Sequence, residues 1–332
     1  MTRSGAETAV TLGEIQSLVR EKLDRVEERF REGLGSEVGV LEQAIREAGG
    51  GGGKRIRPLL LLLTSGLLGH RGEDDVLYAC VIEFIHTATL IHDDVIDEAQ
   101  LRRGRPTMNA RYDNTMTVLA GDYVYTKAMH LALVKGDPAV LRILTDRVMR
   151  MVEGQILEDR KRGCLETSEA EALEINRRKT ACLFGACCRV AAHICGVRGE
   201  RAEALERYGL ELGMAFQLVD DLLDYVADER VLGKPVLSDL REGRLTVPGI
   251  YLRDSGPDAR DLVRRALRNG RGEELPKRDI LGMARERGAI SRTYERALGY
   301  ADGAPAWLDG FPDGPFRQAL VDLPGYVLVR NC

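Results

Sequence analysis

Apolar residues return at helical spacing along most of the chain. In IQSLVREKLDRVEERFREGL (15–34) they stand three or four positions apart with charges between them, as in a helix buried along one stripe. The stretches VLYACVIEFIHTATLIHDDVID (76–97), VLRILTDRVMRMVEGQILEDRK (140–161) and RYGLELGMAFQLVDDLLDYV (207–226) read the same way. No segment alternates apolar and polar residues over strand length with hairpin turns, so no strand is expected. Glycine and proline clusters at 49–53, 69–72, 104–106, 136–138 and 256–257 break the helices. The pattern predicts about a dozen helices in one all-α domain spanning 1–332, with no linker to divide it.

Composition narrows the class. The 332 residues are 44% hydrophobic and 30% charged, which is globular. A net charge of −4 argues against a general nucleic-acid binder and makes any basic site local. Seven cysteines without a CxxC, several of them in the apolar CLFGACCRVAAHIC, read as free buried thiols in a reducing compartment. The N-terminal MTRSGAETAVTLGEIQ lacks a signal-peptide core. The greasiest run, LLLLLTSGLLG (59–69), is about half the length of a membrane span. A cytoplasmic protein not integral to a membrane is expected.

The chemistry starts at LIHDDVIDEAQLRRGRP (90–106). Asp93 and Asp97 share a helix face, with Asp94 beside them, at the carboxyl end of an apolar helix. The helix dipole disfavours acids there, so a cation is wanted, and carboxylate oxygens suit Mg²⁺ shared with a phosphate. A solvated acidic helix end is the competing reading for this motif alone. Asp220, Asp221 and Asp224 repeat the spacing late in a second apolar helix. Six carboxylates around one cavity need several Mg²⁺ ions and a diphosphate to balance them.

Basic residues accompany the acids. GGGGGKRIRP carries Lys54, Arg55 and Arg57 after five glycines, where backbone can approach a phosphate, although the spacing is not that of a P-loop. LRRGRP adds Arg102, Arg103 and Arg105, RRKT adds Lys179 and Thr180, and LGKP adds Lys234.

Together GGKRIRP (52–58), EFIHTATLIHDDVIDEAQLRRGRPT (83–107), GDYVYTKA (121–128), RRKTACLF (177–184), FQLVDDLLDY (216–225) and LGKPVLSDLREGRLTVP (232–248) resemble the trans-isoprenyl diphosphate synthases, or polyprenyl synthetases. The resemblance covers about Gly51 to Arg330. It implies a single helical bundle of the isoprenoid synthase type I fold around a central cavity. Residues 1–50 would be N-terminal helices, 51–250 the catalytic core and 251–332 C-terminal helices. Asp93, Asp97 and Asp220 would be the principal Mg²⁺ ligands, supported by Asp94, Asp221 and Asp224, with about three ions per active site. Arg102, Lys179 and Lys234 would hold an allylic diphosphate such as farnesyl diphosphate. Lys54, Arg57, His86 and Arg103 would hold isopentenyl diphosphate, and Thr180 and Gln217 would line the reacting centre. The resemblance also implies a homodimer.

Ionisation of the allylic C–O bond, attack by the alkene of isopentenyl diphosphate and loss of a proton to pyrophosphate would lengthen the chain repeatedly. Ala88 and Thr89, five and four residues before Asp93, are small where the family uses an aromatic residue to stop growth. The product is therefore expected to be medium to long and lipophilic, of the octaprenyl type, with geranylgeranyl length as the alternative. Met129 and Leu133 are candidates for the tunnel floor. Two departures stand out: Arg244 where lysine is usual, and Ser238 where glycine is common.

Three other readings compete. The pair His92–Asp93 also occurs in HD-type metal phosphohydrolases, but that class leaves the second aspartate motif unexplained. A non-catalytic subunit of a heteromeric synthase would be expected to have lost aspartates or basic ligands. A class I terpene cyclase should lack the second motif.

Overall fold

The computed structural model describes residues 11–49, 54–102, 104–226, 236–269 and 276–329. The first amphipathic stretch is two helices, Leu12–Ser17 (α1) and Arg20–Gly33 (α2), because the backbone of Val19 leaves the helical region. Gly39–Gly49 (α3), Ile56–Leu67 (α4) and Asp74–Ile96 (α5) follow. Met108–Arg111 (α6), Asn114–Val134 (α7), Pro138–Arg160 (α8) and Glu169–Asn176 (α9) lead into a π-helical turn, Arg177–Ala181. Cys182–Ile194 (α10) and Gly199–Val226 (α11) complete the central helices. Ser238–Arg241 (α12), Val247–Arg253 (α13), Pro257–Asn269 (α14), Lys277–Glu286 (α15), Ala289–Gly303 (α16), a 3-10 turn at Ala304–Leu308 and Pro315–Val329 (α17) close the chain. Twelve of these α-helices have ten residues or more.

The fold is all-α, with one small addition to the expectation. Leu101–Arg102 (β1) and Arg105–Pro106 (β2) pair antiparallel across a turn that Gly104 completes at φ 72°. Two residues per strand are too few to leave an alternating pattern in the sequence.

One contiguous core runs from Ile15 to Leu328. Leu59 to Leu63 of α4 are all within it, and full burial of each such side chain stabilises by about 1.5–3 kcal/mol. Around α5 pack α2, α4 and α7; around α10 pack α4, α8 and α11; α11 also meets α16 and α17. Helix α5 is long and apolar enough to cross a membrane by composition, but 78% of that window is buried inside the protein, so it is a core helix. Its stripe His86, Thr89, Leu90, Asp93 and Asp97 keeps partial exposure.

Two glycines set how closely the elements around the π turn approach. A Cβ on Gly154 of α8 would stand 2.9 Å from the Lys179 nitrogen, and one on Gly213 of α11 would stand 2.6 Å from the Ala181 Cα. Backbone contact of this kind admits no side chain. It holds the RRKT segment between α8 and α11. The six described cysteines are free, as expected, and burial pushes the Cys182 and Cys188 thiols up to about 12, which leaves them unreactive.

Candidate active site

The first aspartate motif ends α5. Asp97 caps the helix, its N–H donating to the Asp93 carbonyl at 2.8 Å, and Glu98 then turns left-handed at φ 51°. The three carboxylates meet three environments. The Asp93 carboxylate makes no hydrogen bond to any described residue; burial pushes it up, opposed by Lys179 and reinforced by Asp97. Asp94 is buried and accepts from Arg102 Nε at 2.7 Å, and burial outweighs that partner and raises it too. Asp97 accepts from Arg244 Nη1 at 2.8 Å and from Arg162 Nη2 at 3.5 Å. Burial alone would raise Asp97, but Arg244, Lys179 and Arg162 together hold it low.

The π turn supplies the opposite wall. A π bulge rotates side chains relative to a regular helix and recurs at functional sites. Here it carries Lys179, whose Nζ meets Glu158 at 2.6 Å. Burial disfavours the charged amine, yet Glu158 and Asp93 outweigh it, so Lys179 stays protonated. Thr180 donates to Gln217 Oε1 at 2.7 Å, and Gln217 Nε2 donates to Asp221 Oδ1 at 2.9 Å. Asn176 donates to the other oxygen of Asp221 at 3.1 Å.

The second motif ends α11. Asp220 is half-buried. Asp224 is buried and accepts from the Ser238 N–H at 3.1 Å, the Ser238 hydroxyl at 2.7 Å and the Asp239 N–H at 3.0 Å. Ser238 thus has a task that glycine could not perform: its hydroxyl closes the third bond. The two motifs converge through one side chain. Arg244 reaches Asp97 from the first motif and, at 3.3 Å, Asp239, whose N–H holds Asp224 of the second.

Asp221 has a consequence for stability. Burial, with repulsion from Asp239, pushes its carboxyl up to about 8 despite the bonds from Gln217 and Asn176. Between about pH 4 and about pH 8 the folded protein keeps a proton that the unfolded chain releases, so this group's contribution is full below that window and is lost as pH rises through it. Metal-free protein is expected to lose melting temperature across that range. Asp221→Asn should flatten the slope, as read from melts at a series of pH values; an unchanged slope would assign the dependence elsewhere.

The remaining expected residues are distributed as follows. Arg57 stacks over Phe184 at 4.8 Å and Phe216 at 5.9 Å, on the α10–α11 side. Lys54 is exposed, its Nζ 5.6 Å from the Tyr326 ring. His86 is half-buried on the accessible stripe of α5. Arg55 departs from the phosphate-binding expectation: its left-handed backbone (φ 49°) turns the guanidinium inward onto Glu27, Glu83 and the Phe30 ring. It is a structural tie between α2 and α5. Arg103 and Lys234 lie outside the described residues.

His92 does not form a dyad with Asp93. Its ring lies over Gly121, with Nε2 at 3.3 Å from both the Val118 carbonyl and Asp122, so it joins α5 to α7. Ala88 is buried in the core, Thr89 is half-buried with its hydroxyl on the His86 carbonyl at 2.7 Å, and Met129 is half-buried. Leu133 corrects an expectation. It is 58% exposed on the outside of α7 and encloses nothing within this chain, since the last turn of α7 projects past the core.

Four residues of the site escaped the sequence reading: Glu158, Arg162, Asn176 and Asp239. Glu158, Arg162 and Asn176 are single polar residues among many at helix ends and carry no local signal. Asp239 stands within VLSDLREGR, whose polar spacing after a helix break was its only clue.

Comparison with known proteins places this geometry. The family profile for Polyprenyl synthetase matches residues 38–282. The chain is 37% identical over 323 residues to the octaprenyl diphosphate synthase of Escherichia coli (strain K12), covering 97% of this chain and all of that one. It is 37% identical over 316 residues to the nonaprenyl diphosphate synthase of Mycobacterium tuberculosis (strain ATCC 25618 / H37Rv), covering 94% and 93% of the two chains. A crystal structure of a polyprenyl synthase from Caulobacter crescentus CB15, complexed with calcium and isoprenyl diphosphate, superposes with a TM-score of 0.93 at 33% identity, covering 98% of this chain and 100% of that one. Nearly full-length likeness in both sequence and fold makes this chain a member of the polyprenyl synthetase family.

Proposed function

We propose that the protein is a trans-prenyltransferase that condenses isopentenyl diphosphate with an allylic diphosphate, head to tail and repeatedly, to a medium- or long-chain all-trans polyprenyl diphosphate, releasing pyrophosphate. The observation that carries this is the meeting of the two aspartate motifs through Arg244 and Asp239, with Lys179 and Arg102 beside them. The names of the octaprenyl and nonaprenyl relatives favour the longer products over geranylgeranyl length.

The donor set fits Mg²⁺. All six motif side chains are carboxylates, and that of Asp93 has no hydrogen-bond partner among the described residues. That suits an ion bound by few carboxylates and completed by phosphate oxygens. Asp93, Asp97 and Asp220 would hold it, with Asp94, Asp221 and Asp224 fixing the helix ends behind them. Bound there, Mg²⁺ would neutralise charge on the departing diphosphate.

The protein's own groups do the rest. Lys179, aimed by Glu158, and Arg102 place positive charge where the allylic diphosphate leaves; the family resemblance assigns Lys234, outside the described residues, to the same task. Lys54, Arg57, His86 and Arg103 would position isopentenyl diphosphate for attack. The Gln217 carbonyl oxygen, oriented by Thr180, lends partial negative charge near the allylic cation. Water that would quench it has to be kept from the reacting centre. No dedicated base is required, because pyrophosphate takes the proton.

The exposed stripe Met149, Val152 and Ile156 of α8, with Val118 and Leu119 of α7, supports a homodimer through these helices. Purified protein given Mg²⁺, labelled isopentenyl diphosphate and farnesyl diphosphate should yield a ladder of polyprenyl products after dephosphorylation. Absence of product with farnesyl and with shorter and longer allylic primers would overturn the reading.

A further inference from the structure

The strongest feature that the reaction scheme leaves unused is the clamp on Asp97, and the inference drawn from it rests on the metal–diphosphate reading above. The chain turn at Gly243 (φ 77°) is pinned on both sides: the Gly243 carbonyl accepts from the Gly163 N–H at 2.7 Å, and the Arg244 N–H donates to the Asp239 carbonyl at 2.7 Å. From this fixed base the Arg244 guanidinium reaches Asp97 with Nη1 at 2.8 Å, and Asp239 with Nη2 at 3.3 Å, the same Nη2 contacting Glu242. The side chain is 13% exposed and Asp97 is 12% exposed, so solvent screens the pair little.

We propose that Arg244 is a positioning residue that occupies the Asp97 carboxylate as an internal cation in the metal-free protein and yields it when a divalent cation binds. The guanidinium is held by Asp239 and Glu242 independently of Asp97, so surrendering Asp97 breaks one ion pair and leaves the loop in place. This explains why arginine serves here. A planar fork contacts three carboxylates at once, whereas an ammonium is a single point charge. Because Asp239 also binds Asp224 through its N–H, the same loop ties the two aspartate motifs together. Mg²⁺ alone must then compete with a guanidinium for Asp97. Mg²⁺ arriving with a diphosphate brings anionic oxygens that offset the freed cation.

The test is calorimetric titration with MgCl₂ alone, and then with MgCl₂ plus inorganic pyrophosphate, alongside melting of the metal-free protein. Arg244→Gln should melt lower without metal and bind Mg²⁺ alone about tenfold more tightly than the parent. The gain from added pyrophosphate should shrink in the variant. Arg244→Lys should fall between the two in both measurements, and it decides the matter if the glutamine variant does not fold. The proposal is overturned if Mg²⁺ affinity does not rise, or if the metal-free melting temperature is unchanged. Asp97→Asn separates this from the underlying reading. If it binds Mg²⁺ as well as the parent does, the metal site itself is misassigned; if it loses binding while Arg244→Gln changes nothing, only the role of Arg244 falls.

Discussion

Asp93→Asn is expected to lower turnover by roughly 10²–10³-fold while leaving the melting temperature of the metal-free protein unchanged or slightly higher. The two halves of this result have separate causes. The Asp93 carboxylate makes no hydrogen bond to any described residue, so the fold loses no side-chain partner when the charge is removed. Burial and the nearby Asp97 raise its carboxyl, which means the ionised form is strained in the folded state and its neutral replacement is tolerated. What is lost is an anionic oxygen beside Lys179 that, on the proposed function, would help to hold a metal-bound diphosphate. Steady-state rates at saturating Mg²⁺, paired with thermal melts in chelator, measure both. A variant that keeps most of its turnover would remove Asp93 from the reacting centre, whereas a drop in both quantities would make its role structural.

Thr89→Phe should shorten the product ladder sharply while the first condensation continues, and Ala88→Phe should behave differently. At about 100° per residue, Thr89 lies roughly 40° from Asp93 around α5, and Ala88 roughly 140° away. Thr89 is half-buried and shares the accessible stripe with His86, Leu90 and Asp93. Its hydroxyl is bonded to the His86 carbonyl of its own helix. An aromatic ring there would meet the growing tail. Ala88 is 2% exposed and sits within the core, so a phenylalanine would be forced into packed side chains at a cost of about 1–3 kcal/mol. Chromatography of the dephosphorylated products separates the cases. An unshortened ladder from Thr89→Phe would show that the tail does not pass this face.

Much of the molecule was legible from its residues in order. The long helices follow from apolar spacing: α5 and α8 lie within about two residues of the stretches that announced them, while α11 ends where its stretch ends but begins at Gly199, well before it. Two matched aspartate spacings, each ending an apolar helix, pointed to metal and diphosphate chemistry because acids at a helix carboxyl end need a cation. These signals are local: they depend on periodicity and on side chains a few residues apart.

What the order of residues did not contain is which charge answers which. Asp97 and Arg244 are far apart in the chain and meet at 2.8 Å only because α5, α8 and α11 end at the same side of the bundle. Arg55 and Arg57, two residues apart and alike in the sequence, part company: a left-handed backbone turns one onto Glu27 and Glu83, while the other stacks on Phe184 and Phe216. Glu158, Asn176 and Asp239 acquire meaning only from the side chains brought against them. Ser238, a departure from the family pattern, becomes a hydrogen-bond donor to Asp224. The helices and the class of chemistry could be read from residue order, since both rest on short-range spacing. The tertiary structure decided the partners, because hydrogen bonds and ion pairs act over a few ångströms of space, whatever their separation along the chain.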